Sequence, residues 1–503
     1  MVTASSPPSD MRASGHKTAW RAVSLLVAFV VVWTFYGAVA GASGSIHHDT
    51  AEAYVWGREF QLGYYKHPPF WAWIAGAWFS FAPHQTWAFC LLSVINAAIG
   101  LWGSWALVGN FEQGKMRAAS VFLLLLTPCF TFLAFKFNAN TIFLSLWPWT
   151  LHFFVRSFRS HRAGDAMSFG VFMALALLSK YFAVLLGVAC FLAAVAHPKG
   201  RPYFASAAPY LSVVTVLVFL SPHIWWLTQT GFLPFHYFDA ETGRLVAPIM
   251  EHAAGTLGAF ATWQVVVVAL IASCAAKPIG AWRASIAELW RAPDARMLAI
   301  LALAPALITV FVALIFRNKV SNNMLVGTIS LVPLLLVKIA APDTRLLRRS
   351  VGAAIAVSLA AVAASPLVAY ASIRFSEEPA FSDPREEATR LIEQRWLALA
   401  HAPLRFISGS HHYADAAAFY GSDHPHVFID FSFREAPWVE RTALARDGLA
   451  VICVSDDGAC LAAARRWSTP QTRESAVQLA HAFGGFSRRP VQLTIFLTPP
   501  RAE

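Results

Sequence analysis

Apolar runs of membrane-crossing length recur along this chain, separated by short cationic links, and this alternation restricts the possible folds more than any other feature. A bilayer core of about 30 Å takes about 20 apolar helical residues. Such runs can be marked near 19–41, 86–109, 118–135, 141–156, 166–179, 181–196, 204–222, 257–275, 297–316, 324–341 and 351–370. The break at Ser179-Lys180-Tyr181 divides what would otherwise be one long tilted helix over 166–196. At 57% hydrophobic and 13% charged over 503 residues, the chain is too apolar for one water-borne domain. The expectation is an integral membrane all-α bundle of about eleven transmembrane helices.

The charges orient it. Alternate links carry Lys115 and Arg117; Arg156, Arg159 and Arg162; Lys199 and Arg201; Lys277, Arg283, Arg291 and Arg296; Arg345, Arg348 and Arg349. Cations concentrate on the cytoplasmic side of membrane proteins, so the Ser/Pro-rich residues 1–18 are expected to form a disordered cytoplasmic tail. Residues 19–370 then form the membrane domain, with a first outer loop at 42–85, and the chain from 371 lies outside. The net charge of +11 fits anionic lipid headgroups, and no nucleic-acid partner is expected. On the outer side, Arg58, Lys66, Lys136, Lys180, Arg244, Arg317 and Lys319 are not needed for orientation. They are candidates for an anion, with headgroup or carboxylate contacts as the alternative.

Residues 371–503 are a different material. Short apolar runs at 404–407, 426–429, 449–454 and 491–496 alternate with helix-like patterns near 384–400, 412–420, 434–446 and 457–467, which predicts a small periplasmic α/β domain. Cys453 and Cys460 lie there, where a disulfide would fit only an oxidising compartment. Cys90, Cys129, Cys190 and Cys274 fall in apolar runs and read as small core residues. The paired His411 and His412 follow a strand-to-helix turn that would suit an acidic group; the plainer reading is two surface histidines.

The first outer loop is dense in reactive side chains. Asp49, Glu52, Arg58 and Glu59 follow the first span, and Gly63-Tyr64-Tyr65-Lys66-His67-Pro68-Pro69-Phe70 closes the stretch. A carboxylate at the membrane face can take a proton from a hydroxyl, and Asp49 is the candidate; capping a helix that starts at Thr50 is its ordinary alternative. The two prolines fix an extended corner that would hold Lys66 and His67 in a set direction. Asn138 and Asn140 can each donate and accept hydrogen bonds, or simply make a turn. Lys180 sits in apolar surroundings where a cation needs a partner. His223 precedes Trp225 and Trp226, which alone read as an interfacial belt.

These motifs together resemble the polyprenyl-phosphate-dependent membrane glycosyltransferases: the protein O-mannosyltransferases, the lipid A aminoarabinose transferases and the lipopolysaccharide galacturonic-acid transferases. The resemblance lies in the aspartate followed by the Gly-Tyr-Tyr-x-His-Pro-Pro corner, in Leu178-Ser179-Lys180-Tyr181, and in Ser221-Pro222-His223-Ile224-Trp225-Trp226. Read back from the prolines, the family's leading Asp-Glu falls on Asp49 and Thr50, so the second acid is replaced, with Glu52 near enough to stand in. The aminoarabinose transferases have a lysine before the prolines where this chain has His67. A second family acid after the third span becomes amide, at Asn138 and Asn140.

What the resemblance implies is a GT-C type fold and an inverting sugar transfer from a polyprenyl-phosphate donor to an envelope acceptor, lipid A or lipopolysaccharide or a protein, on the periplasmic face of the inner membrane. Asp49 would be the base. Lys66 and Lys180, with Arg58, Arg317 or Lys319, would hold the phosphate. Glu52, His67, Asn138, Asn140 and His223 would orient the sugar. No cofactor is fixed by the sequence; a divalent ion, Mg²⁺ or Mn²⁺, held by Asp49 and Glu52 stays open. The rival reading is a transporter or flippase of lipid-linked sugars, which should show inverted repeats and helices broken near the midplane.

Overall fold

The computed structural model describes residues 9–242, 249–275, 278, 280, 282–316 and 322–501. In chain order, α1 (Ser9–Ala40) leads to α2 (His48–Gly57) and α3 (Phe70–Phe79), then α4 (Thr86–Val108), α5 (Gly114–Leu124), α6 (Phe143–Ser160), α7 (Ala163–Leu177) and α8 (Val184–Val195). There follow α9 (Gly200–Ala205), α10 (Ala208–Gln229), α11 (Leu233–Thr242), α12 (Ile249–Thr262), α13 (Val265–Ala272), α14 (Trp282–Arg291), α15 (Pro293–Phe316), α16 (Val332–Ala340) and α17 (Arg345–Phe375). Each of the eleven apolar segments marked in the sequence falls on helical structure, continuous or interrupted. Among the described residues six helices are long and apolar enough to cross a membrane, or up to eight if each bent pair is one span. The α5 span bends by 70° where Thr127-Pro128 ends the helix, because proline cannot donate to the preceding turn. The chain is a multi-pass membrane protein.

Lipid takes the place of water around these helices. Val23, Val27, Val31 and Phe35 on α1, and Val214, Leu217 and Val218 on α10, are exposed, as lipid-facing side chains should be. The cationic links gather at one end of the bundle: Arg159 and His197 both approach Asp294, Lys338 pairs with Glu112, and Arg349 donates to Ser273 O. Helix α1 begins at Ser9, inside the segment expected to be disordered. Once a long apolar helix is nucleated, extension over the few residues ahead of it needs no new nucleus.

At the other end sits the tail domain. It comprises α18 (Pro379–Ser382), α19 (Arg385–Ala400), β1 (Phe406–Gly409), α20 (His411–Tyr420), β2 (His426–Val427), α21 (Arg441–Asp447), β3 (Leu449–Val454), α22 (Gly458–Trp467), β4 (Arg473–Leu479), the short β5 (Ala482–Phe483) and β6 (Phe486–Ser487), and β7 (Val491–Thr498). The main sheet runs β2-β1-β3-β7-β4, with β1 parallel to β2 and β3, and β7 antiparallel to β3 and β4. All four apolar runs read as strands are strands. Of the helix expected over 434–446, only α21 forms. Cys453 and Cys460 are joined as a disulfide.

The tail is bolted onto the first outer loop. Arg385, 1% exposed, donates to Ile46 O at 2.8 Å and to Asp383 at 3.0 Å. Tyr420 Oη accepts from Ile46 N at 2.6 Å and meets Thr86 Oγ1 at 2.8 Å. Phe419 packs edge-on against Tyr54 and Phe79. Beneath this contact α2 crosses α3 with backbones touching: a Cβ on Gly57 would stand 2.1 Å from Ala72 O. Only glycine allows that approach.

Candidate active site

Asp49 lies in the first turn of α2. The cap of this helix is His47, whose Nδ1 accepts from Asp49 N at 3.2 Å, so the helix starts two residues earlier than a cap at Asp49 would place it. The Asp49 carboxylate is thereby left for other partners, near a helix N-terminus that favours its charge. Asn138 Nδ2 donates to Asp49 Oδ2 at 3.1 Å. The orientation of that amide is fixed by its other atom, since Asn138 Oδ1 accepts from Asn140 N at 2.9 Å and Thr141 N at 3.0 Å. Asn140 Oδ1 in turn accepts from Lys180 Nζ at 2.7 Å. One turn therefore holds a carboxylate through its first asparagine and an ammonium through its second.

A buried network sets the turn. Asn96 on α4, 4% exposed, donates to Thr141 O at 2.7 Å and accepts from Ser145 Oγ at 2.6 Å. Neither Asn96 nor Ser145 was legible as part of the site, because in the sequence they are single polar residues inside apolar runs. Lys180 occupies the link between α7 and α8, where burial lowers its pKa to about 8 and the charge of Asp49 acts to raise it. It remains a cation near neutral pH. The proline corner is fastened to the same link: Phe70 N donates to Leu178 O at 2.8 Å. Gly63 lies on the ring of Trp226, and a Cβ there would come within 2.4 Å of it. The motifs singled out along some 180 residues of sequence thus meet in one place.

The remaining candidates divide. Lys66 pairs with Glu52, and its ammonium also faces the rings of Trp56 and Tyr65 at 5.4 and 5.6 Å. Burial raises the Glu52 carboxyl, against the pull of Lys66. His67 stands between Trp56 and Trp71 at 6.2 and 6.1 Å between ring centroids. Burial, with Lys180 and Lys66 nearby, keeps its pKa well below the ordinary value, so it is a neutral ring. His223 has both nitrogens engaged, with Leu62 O at 2.7 Å and Tyr181 Oη at 2.9 Å. Through these two bonds it ties the loop to α10.

Arg58 stands apart from these groups. It lies at the opposite end of α2 from Asp49, about 13 Å along the axis at 1.5 Å per residue. Its guanidinium donates to the carbonyls of His424 and Pro425, so it is a strut to the tail. Glu59 beside it holds His426 at 2.7 Å. Lys136 pairs with Glu378, which His47 also approaches at 3.4 Å. These two partners hold the Glu378 carboxyl down at about 2. Arg244, Arg317 and Lys319 lie outside the described residues. Among the described residues no group of three or more His, Cys, Asp or Glu side chains is placed to hold a metal ion, and Asp49 and Glu52 turn to different partners, Asn138 and Lys66.

The tail adds titratable groups that the sequence did not connect with the loop. The His48 ring packs on His412 at 4.8 Å and approaches Asp415 at 3.8 Å, and His411 bonds Asp430 at 3.0 Å. Burial drives His48 down to about 3 and lifts Asp415 to about 7, while the bond to Asp430 lifts His411 to about 9.

The helix bundle and the tail sheet together have the GT-C fold. Residues 66–226 match the family model described as dolichyl-phosphate-mannose-protein mannosyltransferase; Asp49 lies ahead of the matched segment. ArnT from Cupriavidus metallidurans, in a crystal structure bound to undecaprenyl phosphate, has the same fold at 15% identity and a TM-score of 0.60, over 95% of this chain and 98% of that one. Its apo structure aligns at 16% identity and a TM-score of 0.58 with the same coverage. A search of curated proteins finds no match.

Proposed function

We propose that the chain transfers a sugar, with inversion at the anomeric carbon, from a polyprenyl-phosphate donor to an envelope acceptor at the periplasmic face of the bacterial inner membrane. The observation that carries this reading is the turn that joins Asp49 to Asn138 and Lys180 to Asn140. An acceptor hydroxyl gives its proton to Asp49 as its oxygen forms the new bond to the anomeric carbon. The bond from that carbon to the phosphate oxygen breaks, and the polyprenyl phosphate leaves with the electron pair. Lys180 stabilises the developing charge, and Asn138, donating to the Asp49 carboxylate, keeps the base aimed. The acceptor is lipid A, lipopolysaccharide or a protein.

The outward placement of this site is supported by the cationic links at the far end of the bundle and by the Cys453–Cys460 disulfide beside the site's own end. The test is a deletion strain whose lipopolysaccharide and glycoproteins are weighed by mass spectrometry. A transferase leaves one component lighter by one sugar while the donor lipid accumulates. A transporter would deplete every product of that donor, and an unchanged envelope would sink the reading.

A further inference from the structure

The tail sheet has a crevice of its own. Strand β1 sends its following helix α20 toward β2, whereas β3 sends α22 toward the opposite edge. Open parallel sheets take ligands outside the carboxyl ends of strands at such a parting. A cavity of about 680 Å³ lies there, lined by Ser410 after β1 and by Asp456 and Asp457 after β3. That volume is within the roughly 300–1,000 Å³ of small-molecule sites.

Its wall is chemically distinct. Four carboxylates line it: Asp430 is paired with His411, Asp383 with Arg385, and Asp457 accepts from Cys460 N, while Asp456 stands exposed at the rim; the Phe431 ring adds an apolar surface. Tyr413 also lines it, is 3% exposed, and has a hydroxyl with no hydrogen-bond partner among the described residues. Carboxylates accept from hydroxyl and ammonium groups and repel phosphates. The cavity adjoins the proposed base: His412, in its wall, packs on His48, the residue before Asp49.

We propose that this cavity is the acceptor subsite, and that it takes a sugar bearing hydroxyl and amino groups and no phosphate. The inference rests on the glycosyltransferase reading and adds to it where the acceptor is gripped. An acceptor sugar seated there lies on the tail side of α2 and reaches Asp49 past His48, while the donor phosphate lies on the Lys180 side.

The test uses the full chain in lipid nanodiscs, with calorimetric titration of the β-1,4-linked glucosamine disaccharide, glucose 6-phosphate and undecaprenyl phosphate. The glucosamine disaccharide should bind at least tenfold tighter than glucose 6-phosphate. Asp456→Lys, at the exposed rim, should weaken it tenfold or more and narrow the gap to glucose 6-phosphate. Ala459→Trp, exposed in the first turn of α22, should block both sugars by filling the space. Binding of undecaprenyl phosphate should stay within twofold in both variants, which also reports that they are folded. No disaccharide binding by the wild type, or equal binding by Ala459→Trp, overturns the acceptor subsite. Loss of undecaprenyl phosphate binding in the wild type would instead overturn the glycosyltransferase reading, with the sugar arm still readable.

Discussion

Replacing Asp49 by asparagine isolates charge from shape. The amide oxygen of the new side chain can still accept from Asn138 Nδ2, which now approaches Oδ2 at 3.1 Å, so the first turn of α2 and the 138–141 turn should keep their positions. What disappears is the proton acceptor and the negative charge that supports Lys180. Removing a positioned general base typically lowers the rate 10² to 10⁴ fold, about 2.7–5.4 kcal/mol at 1.36 kcal/mol per tenfold. The assay is transfer in membranes of the deletion strain, supplied with the polyprenyl-phosphate sugar pool and an envelope extract as acceptor, each varied in turn. The turnover number should fall by at least a hundredfold while the donor KM moves little, the pattern of an interaction made in the transition state. A variant that keeps its rate within threefold would refute the assignment of Asp49, because among the described residues no other carboxylate is bonded to the turn that also holds Lys180.

Lys180→Met should instead raise the donor KM by about 10–100 fold, the loss of a charge-assisted hydrogen bond of about 1.5–3 kcal/mol; titration with undecaprenyl phosphate reads it directly, and an unchanged affinity would place the phosphate elsewhere. His411 is raised from 6.5 to about 9 chiefly by its bond to Asp430, so its folded pKa exceeds its unfolded one. Its stabilisation is then full below pH 6.5 and is lost as pH rises through about 9. His411→Gln should lower the melting temperature near pH 6 and converge with wild type near pH 10; parallel curves would remove the pairing. Gly57→Ala forces a methyl to 2.1 Å from Ala72 O and should cost about 1–3 kcal/mol or more by overpacking. Gly164→Ala, with nothing within 4 Å, is the control and should be neutral or slightly stabilising in a thermal-shift measurement.

The bundle was legible because its signal is local: a run of apolar residues ended by an arginine or lysine needs no partner to be read, and every marked segment became a helix or a broken one. Four tail strands were legible for the same reason; β4, whose mostly exposed edge (Arg473–Leu479) carries little hydrophobic pattern, and the two-residue β5 and β6 were not. The site was half legible. Asp49, Lys66 and Lys180 stand out as charges beside spans, and Asn138 and Asn140 as amides in a link. That Asn138 spends its oxygen on its own turn and its nitrogen on Asp49 depends on a contact across 89 positions, which no periodicity encodes. The same holds for Arg58, which reads as a spare outer cation until His424 and Pro425 are brought against it.

The tail is a structural condition for the site as well as its neighbour. Helix α2 has ten residues, too few to persist alone, since isolated helices shorter than about 12–15 residues are marginal in water. Its order comes from contacts, and on one side these are α20 and α19: Tyr420 and Arg385 bond the backbone of Ile46 just ahead of the helix, and Phe419 packs on Tyr54 within it. A chain truncated after Phe375 would therefore lose activity whether or not the tail touches a substrate, because the segment that aims Asp49 would lose its support. Truncation cannot distinguish scaffold from binding site. Substitutions at Asp456 and Ala459 can, since both face the crevice and neither supports α2, so a change in acceptor affinity with donor affinity preserved has only the crevice as its origin.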